Sequence, residues 1–420
     1  MLLRPLSLGL LLLVAACGAP EQDASGFTVV VVPDTQNYVD YTLQKSAGFA
    51  LDSSELFITQ MQHIASKAES KGGDLAFVTS VGDIWQHVIS GVDEEHFARG
   101  VLPIDASTHP IVRPDETRGF EIPKAVEGYR LISEAGIPFG VVPGNHDYDA
   151  WWSVALPRGN GTSASARDVH IGGFTAFNAA FGADSEFFKD KDWYVESFNG
   201  GANSAQLFSA GGYRFLNLSL EMQPGDAVLA WAQSVVDSHP GIPTFVTTHD
   251  YLNPRGERLP TMDLATADPS GNNSAEVLWQ KFISRNDQIL MVFSGHQFGA
   301  ATRIDTNVHG HKVYQLLSDY QARGMAALDA GQAPGPGGRQ PGLGDGWYRE
   351  LHFDLDAEVP RVEVRTYSSH YRQYASELDS YAQWYRLLEQ PQLDDAAFVQ
   401  ADAFVLPLDD FRARFGMPTP

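Results

Sequence analysis

Cysteine is nearly absent: the chain holds one in 420 residues, Cys17. A lone thiol cannot close an internal disulfide, and it leaves any metal site to be built from oxygen and imidazole. Positive charge is scarce too, with 29 Lys and Arg against 52 Asp and Glu and a net charge of −23. Such an acidic surface repels nucleic-acid phosphates, which argues against a polynucleotide partner unless a bound cation supplies the attraction locally. The apolar run Leu6 to Ala16 is too short to cross a bilayer. What the chain does have is bulk: at 43% hydrophobic and 11% aromatic it can bury a large core, as a globular enzyme does.

With Arg4 before it, Leu6 to Ala16 has the length of a secretory h-region. It ends in Val14-Ala15-Ala16-Cys17-Gly18, which resembles the lipobox of bacterial lipoproteins. That resemblance implies a signal over residues 1–17, acylation of Cys17, export to the periplasm or cell surface, and membrane contact through the lipid alone. Residues 18–26 then read as a polar tether.

Five short apolar runs follow, and each stops at a residue able to bind metal. Phe27 to Val32 runs into Pro33-Asp34-Thr35-Gln36, Leu75 to Val81 into Gly82-Asp83, and Val141-Val142 into Pro143-Gly144-Asn145-His146-Asp147. Thr244 to Thr248 runs into His249-Asp250, and Ile289 to Ser294 into Gly295-His296. Runs of this length bounded by Gly or Pro read as buried strands, and in open α/β sheets the ligand crevice lies beyond the strands' carboxyl ends. A capping-box spacing at Asp52-Ser53-Ser54-Glu55 predicts a helix between the first two strands, a βαβ unit.

The order and type of these residues resemble the calcineurin-like metallophosphoesterase family, in a bacterial subgroup that carries Asp-x-Gln at the first motif. The resemblance spans Asp34 to Phe298 and reaches Tyr367 through Asp319-Tyr320-Gln321 and Gly344-Asp345-Gly346-Trp347. It implies a layered α/β fold in which central mixed sheets form a sandwich flanked by helices, with two metal ions at the strand ends. Asp34 and Gln36 would hold the first ion, Asn145, His249 and His296 the second, and Asp83 would bridge them. Ligands of this kind suit Mn, Fe or Zn. The implied reaction is hydrolysis of a small phosphomonoester or phosphodiester by a metal-bridging hydroxide. His146 would be the general acid, with Asp147 orienting it, and Asn145 and His146 would also hold the substrate.

Two departures mark the first metal: Gln36 stands where His is commoner, and Phe298 where the family usually has its last His. The first ion should therefore be labile. Some members place an Asp three residues after the bridging Asp; here it is Gln86. His87 and Arg303 are further candidates for holding phosphate, against a solvated loop histidine and an ordinary surface pair. Asp250 is expected to orient His249, and His309 and His311 look like a hairpin-turn decoy. The alternative function is a surface-anchored binding or structural protein that kept the fold and lost turnover.

The domain is expected over residues 27–370, with insertions near 87–124 and 151–203 shaping the mouth of the site. Residues 371–420 should pack on it as an extension, with a helix over Ser376 to Glu389 and a strand over Phe404 to Leu408.

Overall fold

The structure, a computed structural model, describes residues 26–107, 109–153, 169–260, 265–266 and 272–417. The signal-like stretch, Cys17 and all of the tether but Gly26 lie outside the described residues.

The strand Phe27–Val32 explains the layering. All six residues are buried, with Phe27, Val29 and Val31 in one apolar cluster and Val30 and Val32 in another. A strand apolar on both faces requires cover on both. It runs parallel to Leu75–Ser80, which runs parallel to Phe139–Val141. On the other edge the sheet continues antiparallel through Trp347–Asp354 and Arg361–Ser368, where Gln373–Tyr374 and Ala403–Pro407 are added.

The second sheet is built alike. Tyr213–Ser219, Thr244–Asp250, Ile289–Gly295 and Lys312–Asp319 run parallel. Antiparallel strands flank them, Gly299–Thr306 on one side and Asn203–Ala210 and Tyr194–Phe198 on the other.

Phenylalanines fill the space between the sheets. Phe77 stacks on Phe208 at 4.5 Å, Phe27 meets Phe215 at 5.3 Å and Phe353 meets Phe245 at 5.8 Å. Deleting one such ring costs about 3–5 kcal/mol. A short polar seam crosses the same space: the Thr79 and Thr247 hydroxyls meet at 2.7 Å, and Asn217 donates to Gln206. Helices Ser53–Ser66 and Ile122–Glu134 cover the outer face of the first sheet through Phe57, Met61, Ile64, Tyr129 and Ile132. Asp226–Ser238 and Ala275–Lys281 cover the second through Val228, Val235 and Leu278. The architecture is therefore α/β, with mixed sheets and helices outside them.

Four local expectations change. The helix after Asp52 starts where expected, but no capping box forms, because the Asp52 carboxylate accepts from the Lys45 N–H instead. The region 87–124 is partly helical: Pro114–Glu116 leads through a π-turn, Thr117–Glu121, into Ile122–Glu134. Pro123 has no N–H to continue an α-helical ladder, and the widened turn absorbs the defect. Within 151–203, Phe177, Phe181, Phe187 and Phe188 pack into the core against Phe139, so these aromatics stabilise rather than gate. At the end of the chain the helix is shorter, Tyr381–Glu389, and the edge strand is Ala403–Pro407. Pro407 ends it because proline offers no ladder N–H.

Candidate metal centre

The turns after the strands set the site. Asp83 has φ 52° and His296 φ 70°, left-handed conformations that non-glycine residues seldom adopt and that cluster at functional sites. The glycines next to the ligands are there for space. A Cβ on Gly295 would sit 2.0 Å from Asp34 Oδ1, and one on Gly144 would sit 2.2 Å from Asp83 Oδ1. This is the physical content of the strand–glycine–ligand pattern: the backbone must pass against a carboxylate.

Asp83 is fully buried at the centre. Its Oδ1 accepts the His146 N–H at 2.9 Å and lies 3.3 Å from His249 Nε2; its Oδ2 accepts from Gln36 Nε2 at 3.0 Å. His249 Nε2 also lies 3.1 Å from Asn145 Oδ1 and 3.2 Å from His296 Nδ1. The Asp34 carboxylate accepts the His296 N–H at 3.1 Å. Asp34, Asp83 and Asn145 come from the first sheet, His249 and His296 from the second, and the six residues expected as ligands gather in one place. The ligand atoms of Asp83, His249 and His296 lie within 4.8 Å of one another.

The electrostatics favour a cation. Burial, then repulsion from Asp319, pushes the Asp34 carboxyl well above the usual range. Burial would raise Asp83 as well, but the His249, His146 and His296 imidazoles outweigh it and hold its carboxyl below. Burial opposes charge on His249, yet Asp83 and Asp34 carry it up to about 10. Gln36 Oε1 is buried with no hydrogen-bond partner. Crowded carboxylates and an orphaned amide oxygen are what hard and borderline divalent cations relieve.

Asp319 and Gln321 belong to this centre, although the sequence reading gave them no role in it. Asp319 is buried, and burial lifts its carboxyl to about 7. Gln321 Nε2 lies 3.2 Å from Asp319 Oδ2 and 3.4 Å from Asp34 Oδ2, and its Oε1 accepts from Gln36. The signal was present: Lys312 to Leu317 is one more strand-like run, with a carboxylate, Asp319, two residues beyond it.

Other candidates fall elsewhere. His146 Nδ1 bonds the Gln86 carbonyl at 2.6 Å, so backbone does what the missing Asp at position 86 would do. Asp147 does not orient the His146 ring: its Oδ1 accepts from the Ile84 N–H at 2.8 Å and its Oδ2 from the Gly144 N–H at 2.8 Å, tying the two ligand turns together. Burial and then Asp83 push its carboxyl up to about 8, while those N–H donors work against the shift. The Val81 carbonyl, not Asp250, orients His249, at 2.7 Å from its Nδ1. Arg303 is spent on Asp305 at 2.6 Å and on the Gly256 carbonyl. Phe298 is half exposed. His309 and His311 bond Arg285 and Asp287 at the hairpin turn. Trp151 was not singled out; its indole N–H grips the Asn145 carbonyl at 2.7 Å and its ring lies 5.2 Å from His146.

His87 is buried, not solvated, in a second group with Asp40 and Glu121. Glu121 accepts from His87 Nδ1 and from the backbone N–H of Tyr41, Gln86 and His87, so its lone pairs are already engaged.

No family model matches the chain. It is similar to the uncharacterized protein YvnB of Bacillus subtilis (strain 168), at 27% identity over 244 residues. The match covers 57% of this chain and 15% of that protein, so the chain spans a small part of its relative's length.

Proposed function

We propose that the protein is a metal-dependent phosphoesterase with the calcineurin-like metallophosphoesterase fold, acting on small phosphomonoesters or phosphodiesters. The observation that carries this reading is the convergence of Asp34, Asp83, Asn145, His249 and His296 from the ends of two sheets, with His146 beside them. Asp34 and Gln36 would hold one cation, Asn145, His249 and His296 the other, and Asp83 both. When bound, such cations draw charge from a phosphoryl group and bring the pKa of a water from 15.7 to about 7.

The chain's own residues do the rest. A carbonyl only accepts, so His146 Nδ1 donates to Gln86 and the ring presents Nε2 on the side of Asp83, 4.0 Å from its Oδ2. Protonated, Nε2–H gives its proton to the leaving oxygen, and the ring returns to the neutral Nδ1–H form. Trp151 and the Asp147 clamp keep the Asn145–His146 turn from moving away. The lipobox-like start adds the proposal that this chemistry takes place outside the cytoplasm, on a protein tethered through Cys17.

The test is turnover of p-nitrophenyl phosphate and its bis ester by protein loaded with Mn, Fe or Zn. Activity on either ester that is lost in His146→Ala with metal content retained supports the reading. No turnover with any of these metals leaves the surface-anchored binding protein as the better account.

A further inference from the structure

Glu121 is fully buried, and the one cation-forming side chain bonded to it among the described residues is His87, at 2.7 Å. A buried carboxylate is costly unless its oxygens are satisfied. Here the remaining donors are backbone: the N–H of His87 at 3.0 Å and of Gln86 at 3.2 Å on Oε2, and of Tyr41 at 3.3 Å on Oε1. One peptide group among these matters most. The peptide joining Gln86 to His87 offers its N–H to Glu121 and its carbonyl oxygen to His146 Nδ1, at 2.6 Å. Carboxylate, peptide and imidazole therefore lie in one hydrogen-bonded line. A negative charge at the N–H end pushes electron density toward the carbonyl oxygen, and bonds in such chains strengthen one another.

We propose that Glu121 is a positioning residue for His146, acting through the Gln86–His87 peptide to fix the Nδ1–H tautomer and aim Nε2 at the leaving group. The π-turn Thr117–Glu121 is the device that brings it there, since it ends at the carboxylate. Carboxylate partners of functional imidazoles usually bond the ring directly; here one amide is interposed. This inference rests on the reading of His146 as general acid.

Two measurements test it, and the first needs no turnover. In metal-free, nitrogen-15-labelled protein, the His146 Nδ1–H resonance is identified by its loss in His146→Ala. Glu121→Gln is expected to move that resonance upfield and speed its exchange with water. Thr117→Val removes a different anchor of the same loop, a hydroxyl bond to the His87 carbonyl at 3.0 Å, and should leave the resonance in place. Glu121→Asp keeps the charge but withdraws it from the peptide, and reads the same shift should Glu121→Gln not fold.

The second measurement is a split between leaving groups. Glu121→Gln should lose about 10- to 100-fold on an alkyl phosphate, whose leaving oxygen needs a proton, and little on p-nitrophenyl phosphate. An unmoved resonance, an equal shift in Thr117→Val, or an equal loss on both esters would overturn the proposal. A resonance that responds as expected in a protein that hydrolyses neither ester would uphold the relay and sink the phosphoesterase reading instead.

Discussion

Asp83, His249 and the partly buried His296 form one group, and Asp40, His87 and Glu121, all buried, another; they are similar in composition but differ in where their lone pairs go. In the second group Asp40 Oδ1 accepts from the Thr42 N–H and hydroxyl, and both oxygens of Glu121 are occupied by donors. Around the first group three carboxylates, Asp34, Asp83 and Asp319, crowd one another and the Gln36 oxygen has no partner; raised proton affinity does not itself tell the two apart, since burial raises Asp40 as well. Proximity of ligand-type side chains is thus a weak sign of a cation site. Negative charge left unneutralised by the protein itself is a better one.

The largest expected effect is at Asp83. Asp83→Asn should lose bound metal and lower turnover by more than about 100-fold, beyond the range expected for an outer partner. Glu121→Gln should keep its metal. Metal analysis of both purified variants is the check, and the comparison fails if the two lose cations equally.

Thermal unfolding gives the next effect. Added Mn or Zn at a hundred times its dissociation constant should stabilise the protein by about 2.7 kcal/mol. Asp40→Asn should leave that gain intact, because Asp40 Oδ1 and both oxygens of Glu121 already accept hydrogen bonds. If the gain disappeared in Asp40→Asn, the second group would be a metal site after all.

A smaller effect divides the first group. Dialysis should remove one cation before the other, since Gln36 gives the first position an uncharged donor and Phe298 gives it none. Gln36→Ala should widen the gap between the two losses. Equal retention of both ions through dialysis would count against the assignment.

The mildest expectation concerns pH. Asp34, held well above the usual carboxylate range, and Asp319, at about 7, carry protons that a cation must displace. The sign follows: groups with raised pKa are protonated at lower pH, so affinity should weaken as pH falls through about 7. Calorimetry in buffers of different ionisation enthalpy should show proton release on binding, and none at all would break the account.

Much of the site could be read from the sequence because its ligands end strands, and a strand that stops at Gly-Asp or Gly-His leaves a clear trace. Asp34, Asp83, Asn145, His249 and His296 were found in this way. Bonds made by backbone leave no such trace. The Gln86 carbonyl that holds His146 and the Val81 carbonyl that holds His249 belong to no residue type, so Asp147 and Asp250 were credited with tasks the main chain performs. The π-turn was hidden by Pro123, which reads as a helix breaker. The core role of Phe177, Phe181 and Phe187 was hidden among the glycines and serines around them, where periodicity gives no guide.

The six expected ligands are divided between the two sheets, four on one and two on the other, with phenylalanines and the Thr79–Thr247 contact between them. A one-residue slip in the register of any of these strands would carry its ligand to the other face of the sheet. With the proposed cations bound, their release and the separation of the sheets should then occur as one event, so such cations would report on mechanical integrity as well as chemistry.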